Sequence, residues 1–247
     1  MQTLNIKKML DIAQTVAKSA ATKLLQKEEL LKRVDCDFPR DVKVKADKFL
    51  DEIIREQLEK ETDFPIISEE TIDSQKMGDG YQWIVDPLDG SFNFSRSIPT
   101  CCISIALWKG LEPLLGVIYD FNRDECFVGL VDSKCELNKK IIKPSNVKEK
   151  YNAILATGFP IRTDFKQNSL LNFVIDIQQF KKIRLFGSAA LSLAYVACGR
   201  VDFYHEKNIK IWDVAAGLAL IKSVGGMVKF TSPNSDMTVQ VQATFDG

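Results

Sequence analysis

The sequence predicts an α/β protein whose first half is α+β, helices laid on a largely antiparallel sheet, and whose second half alternates strands with helices. Three observations carry this. Apolar residues recur at helical spacing in two N-terminal stretches; short apolar runs rich in β-branched and aromatic residues crowd the region from Phe64 to Leu130; beyond Pro144 such runs alternate with helical segments. The border falls near residue 140, giving an α+β subdomain over 1–140 and an α/β subdomain over 141–247.

Element by element, Leu4, Met9, Ile12, Val16, Ala20, Leu24 and Leu25 share one face of an opening amphipathic helix. VDCDFPRD breaks the pattern as a loop, and Ala46 to Lys60 resumes a helix with Phe49, Leu50, Ile53, Ile54 and Leu58 on one side. FPIIS and YQWIV read as buried strands, each ending in an acid, and TCCISIALW, PLLGVIYDF and ECFVGLV as an antiparallel meander. The second half predicts strands at AILAT, KIRLF, VDFYH and MVKF. Between them lie helices over Phe165 to Phe180, Ser188 to Ala197 and Trp212 to Val224, the last stopped by Gly225 and Gly226.

Composition removes several function classes. Lys plus Arg is 33 and Asp plus Glu is 33, so no global basic field recruits nucleic acid. No run approaches the roughly 20 apolar residues that span a bilayer. Six cysteines without a CxxC pair, and no signal peptide, point to a reducing cytoplasm, with Cys101 and Cys102 as small core residues. His205, the one histidine, excludes chemistry that needs two and reads as a surface or packing residue rather than a ligand.

The chemistry lies in acids at element ends. In WIVDPLDGSFNF, Asp86 follows a strand, Pro87 fixes its own φ and Gly90 permits a tight turn, so Asp86 and Asp89 face one point. Beyond Gly90, backbone N–H groups and the Ser91 hydroxyl offer a cradle for phosphate. Glu69 ends a strand and Asp213 opens a helix, places where α/β proteins collect ligands. Taken singly, these are an acidic turn, a solvated Glu69–Glu70 pair and a helix cap. Together they form an all-oxygen donor set that suits Mg²⁺ or Mn²⁺ rather than zinc.

SEE at 68–70, DPLDGSFNF at 86–94 and WDVAAGLALIKSVGG at 212–226 resemble the three signature motifs of the inositol monophosphatase family. DVKVKAD at 41–47 resembles its preceding acidic segment, and FGSAALSLAYVACGRVDFYHE at 186–206 its sugar-site region. The resemblance implies a layered α-β-α-β-α sandwich of the sugar phosphatase type and hydrolysis of a phosphomonoester by metal-activated water. It implies two or three Mg²⁺ ions, Mn²⁺ being an alternative, on Glu69, Asp86, the Leu88 carbonyl, Asp89 and Asp213. It further implies a phosphate turn at Gly90 and Ser91, a water-activating pair of Asp47 and Ser91, and a substrate pocket of Asp89, Gly187, Ser188, Ala189 and Glu206. Ser91 stands where most members have Thr, the stretch around Arg40 departs from the family pattern, and the chain stops at Phe245-Asp246-Gly247, short of the usual last helix.

The expected substrate is a small phosphorylated polyol or sugar, inositol monophosphate and also fructose 1,6-bisphosphate. Histidinol phosphate and nucleotide 3′,5′-bisphosphates are the rivals within the enzymes. A regulatory binding protein with a vestigial site is the rival outside them, opposed by the intact acid set. The expected assembly is a homodimer that requires neither nucleic acid nor membrane.

Overall fold

The amphipathic opening segment forms helix α1, Ile6–Leu25, whose buried stripe runs from Met9 to Leu24, and a single turn, α2, Glu28–Leu31, follows it. The computed structural model describes residues 4–38, 41–74, 76–160 and 163–245. The segment read as a loop forms an antiparallel hairpin, β1 (Val34–Phe38) with β2 (Asp41–Val44). Its strands were hidden because Val34, Asp35 and Cys36 all face solvent and leave no apolar alternation to read. Arg40, centre of the divergent stretch, lies outside the described residues, as do Asp246 and Gly247. Helix α3, Lys45–Glu61, packs on α1.

Seven strands make the first sheet: β3 (Ile66–Ser68), β4 (Tyr81–Asp89), β5 (Cys102–Lys109), β6 (Glu112–Asp120), β7 (Glu125–Leu130), β8 (Lys134–Leu137) and β9 (Lys140–Ile141), adjacent in that order. All neighbours are antiparallel except β3 and β4. Both faces are covered, so apolar runs replace alternation: on β5, Ile103, Ile105 and Leu107 join the core beneath α1 and α3, while Cys102, Ala106 and Trp108 join the core on the opposite face. Cys101 is likewise buried, as expected of a core residue. A five-residue helix, α4 (Ser91–Ser95), follows β4.

In the second half, β10 (Ile154–Ala156), α5 (Gln167–Ile177), β11 (Lys182–Arg184), α6 (Ala189–Ala197), β12 (Phe203–Lys210), α7 (Ile211–Ser223) and β13 (Met227–Phe230) follow the expected alternation. Phe165 and Phe180 lie just outside α5 and stack on Phe159 and Phe203 instead. A strand the sequence reading passed over, β14 (Thr238–Thr244), inserts between β12 and β13 and completes a sheet of order β11-β10-β12-β14-β13. Its pattern is a plain alternation, Val239, Val241 and Ala243 buried and Gln240 and Gln242 exposed.

The layered α-β-α-β-α order follows from α7, which packs on β4 to β7 of one sheet and on β12, β13 and β14 of the other, with α6 beside it. Helix α7 is apolar on nearly every side because sheets flank it on both. Gly116 on β6 permits the contact: a Cβ there would lie 2.3 Å from the Ala216 carbonyl oxygen. No described helix is long and apolar enough to cross a membrane. Gly116→Ala forces α7 off the sheet and is expected to cost about 1–3 kcal/mol, the usual penalty of overpacking, seen as a lower urea midpoint at unchanged slope.

Candidate active site

Strand β4 runs past Asp86 to Asp89 rather than ending at Asp86, with the ladder to β5 irregular between the two acids. That bulge sits at Pro87, which has no N–H to give the ladder. The Asp86 carboxylate accepts the Leu88 amide at 3.0 Å, and Gly90 then turns the chain at φ 89°, where a Cβ would also strike the Thr100 carbonyl oxygen at 2.7 Å. The strand thus delivers Asp86 and Asp89, and the turn delivers Ser91 at the start of α4.

Asp47 occupies the first turn of α3, where one carboxylate oxygen accepts the Val44 amide at 2.6 Å and the other accepts the Ser91 hydroxyl at 2.7 Å. The Ser91 oxygen also lies 2.9 Å from the Leu88 carbonyl oxygen. Its single hydrogen serves one of these acceptors at a time. Burial pushes Asp47 up to about 7, against the opposing hydrogen bonds from Ser91 and Val44.

Glu69 follows β3. The Lys43 ammonium on β2 lies 2.8 Å from its carboxylate and also contacts Glu70, so the pair that read as solvated shares a lysine. Burial alone would lower Lys43, but the two carboxylates outweigh it and hold the ammonium above its usual range. Below them, the buried Asp51 accepts the Ser68 hydroxyl and pairs with Arg55 at 3.0 Å, fixing the end of β3. Asp213 stands in the first turn of α7 and accepts the Lys210 amide at 3.3 Å, so it steadies the helix start from the third helical position while Lys210 takes the N-cap itself.

Asp89 joins the two halves. One oxygen accepts the Ser188 hydroxyl at 2.5 Å and the Ala190 amide at 2.7 Å, placing the carboxylate at the N-terminus of α6. Burial pushes Asp89 up to about 6 despite these donors. Asp86 and Asp213 are pushed well above the carboxylate range, by burial first and then by Glu69, Asp89 and each other's neighbours. Glu206 on β12 is pushed up to about 8 by burial and by Asp89.

A cavity of about 250 Å³ is lined by Glu69, Asp86, Leu88, Asp89, Gly90, Ser91, Gly187, Ser188, Ala189, Glu206 and Asp213, with Asp47 standing behind Ser91. Every candidate residue named from the sequence is therefore at this cavity or hydrogen-bonded to its wall. Thr157 to Pro160 connect it to a second hollow of about 220 Å³ that reaches Phe173 and His205. The donor set is all oxygen and mutually repelling, which fits a hard divalent cation. The acids face the cavity without closing into a cage: among the described residues no three acid, histidine or cysteine side chains are drawn together enough to hold a metal ion.

Sequence reasoning missed two residues here. Lys43 was visible only as one of the lysines alternating in DVKVKAD. Asn93 stands unremarked within DGSFNF, yet its side-chain amide lies 2.8 Å from the Thr100 carbonyl and 2.9 Å from that of Phe186, tying α4 to the turn at Gly187.

A layered α/β sandwich with buried carboxylates converging at strand and helix ends defines a phosphatase-like class. The sequence profile of the inositol monophosphatase family matches residues 5–243, and the chain belongs to that family. A Nus factor SuhB from Xylella fastidiosa is 38% identical over 205 residues, 83% of this chain and 73% of that one. Among solved structures, the extragenic suppressor protein SuhB of Bartonella henselae superposes with a TM-score of 0.84 at 30% identity, covering 96% of this chain and 93% of that one. The inositol monophosphatase of Anabaena superposes at 0.82 and 33%, covering 98% and 92%.

Asn93→Ala leaves two backbone carbonyls without their donor and is expected to cost about 1–3 kcal/mol, measured by chemical denaturation; Asn93→Asp, which cannot donate, should cost at least as much.

Proposed function

We propose that this protein is a Mg²⁺-dependent phosphatase of small polyol or sugar phosphates, inositol monophosphate foremost and fructose 1,6-bisphosphate as a further substrate. The observation that carries the reading is the Ser91–Asp47 hydrogen bond of 2.7 Å at the wall of a cavity that Glu69, Asp86, Asp89 and Asp213 line. In this reading Glu69, Asp86, the Leu88 carbonyl, Asp89 and Asp213 hold two or three Mg²⁺ ions, with Mn²⁺ a substitute. The division near residue 140 then assigns the phosphate turn to the first half and Asp213 and the substrate pocket to the second. Bound there, the ions supply charge neutralisation and a more acidic water.

The chain's own groups do the rest. Ser91 accepts a proton from the attacking water and passes its own to Asp47, whose raised pKa of about 7 suits a base working near neutrality. Gly90 and Ser91 hold the phosphoryl group, and Gly187, Ser188 and Ala189 shape the wall beyond it. Glu206 offers the substrate's hydroxyls a carboxyl partner at the far side.

A second reading, a Nus factor role as in the name of the Xylella relative, draws on the exposed Leu171, Val174 and Ile175 of α5, apolar groups suited to a protein partner. The homodimer expected from the sequence is tested by light scattering. The free cysteines Cys36, Cys101, Cys102, Cys126, Cys135 and Cys198 support a reducing compartment.

Phosphate release from inositol monophosphate, fructose 1,6-bisphosphate, histidinol phosphate and a nucleotide 3′,5′-bisphosphate, with and without Mg²⁺, tests the reading; no release from any of them sinks it. Ser91→Ala and Asp47→Asn are each expected to lower kcat by about 10²–10⁴, and the double variant to be scarcely worse than either, since the two act as a unit. Ser91→Thr should cost little. Additive losses across that cycle would leave the pair without a joint role. Glu206→Gln should raise KM for inositol monophosphate more than for an aryl phosphate, and equal changes would show that Glu206 does not contact the polyol.

A further inference from the structure

We propose that Lys43 is a tethered counter-ion, shared with Glu70, that competes with a divalent cation for Glu69 and so sets how tightly the site takes metal. The inference rests on the metal reading given above. Lys43 lies on the hairpin strand β2, in register with Cys36 on β1, and its ammonium crosses to the end of β3 to meet Glu69 at 2.8 Å and Glu70 beside it. Its side chain is 22% exposed, so the ion pair is largely withdrawn from water, where charges act on one another more strongly than at a surface.

The reach of the charge extends past its two partners. Lys43 also acts to lower Asp86 and Asp47, so its charge is felt at one further proposed metal ligand and at the base behind Ser91. A divalent ion drawn to Glu69 meets that ammonium and must displace it or bear the repulsion. Displacement is open to a lysine: four flexible methylene groups carry the charge, and the ammonium is readily hydrated once it leaves. Lys43 thereby keeps repelling acids together and costs the site metal affinity, one charge performing both tasks.

A brace without competition would have a different signature. Removing a brace weakens the fold and leaves metal binding unchanged or poorer, whereas removing a competitor weakens the fold and tightens metal binding. Mn²⁺ binding to the purified protein, by equilibrium dialysis and calorimetry, separates the two. Lys43→Met is expected to bind Mn²⁺ about tenfold more tightly than the native chain, to melt at a lower temperature in chelator, and to gain more in Tm on adding Mn²⁺. Lys43→Arg should stay near the native Kd, and Lys43→Gln, polar and of similar reach, should follow Lys43→Met if the methionine variant folds poorly. Native-like or weaker Mn²⁺ binding in both neutral variants, with clear binding to the native chain, overturns the counter-ion role and leaves the metal site standing. Absence of Mn²⁺ binding in the native chain and in every variant overturns the metal reading and this inference together.

Discussion

Carboxylates gathered at one buried place repel one another, and much of this fold is the apparatus that keeps Glu69, Asp86, Asp89 and Asp213 together against that repulsion. Burial and neighbouring acids push Asp86 and Asp213 well above the carboxylate range, and each acid is also held by other groups. Donors are supplied locally. The Leu88 amide serves Asp86, Ser188 and the Ala190 amide serve Asp89, the Lys210 amide serves Asp213, and Lys43 serves Glu69.

Helix starts do much of this work. Asp47 lies in the first turn of α3 and Asp213 in the first turn of α7, while Asp89 faces the first turn of α6 from another strand. Each meets the positive end of a helix, where unsatisfied N–H groups favour negative charge. Asp213 thus steadies a helix start and lines the cavity at once. Helix α7 then locks the geometry, since a helix packed between two sheets cannot move Asp213 without disturbing both.

Asp89 and Asn93 give the site its dependence on the whole chain. Both belong to the first half, and both bind backbone or hydroxyl groups between Phe186 and Ala190 in the second.

Most of the helices, the meander and the acids at element ends were legible in the sequence, because apolar spacing of 3.6 or 2 residues reports a buried face directly. The hairpin of β1 and β2 was not, since its exposed residues leave no face to detect, and β14 was passed over although its alternation was plain. The motifs marked the candidate residues; they did not carry the contacts. Ser91 meets Asp47 across 44 residues, Asp89 meets Ser188 across 99, and Lys43 meets Glu69 across 26. Such pairs depend on strand order, on the bulge after Asp86 and on which sheet α7 faces, and local periodicity encodes none of these. The sequence by itself determined most of the element types and named the candidate residues; only the tertiary structure decided that they share one cavity, because that is a property of packing between segments.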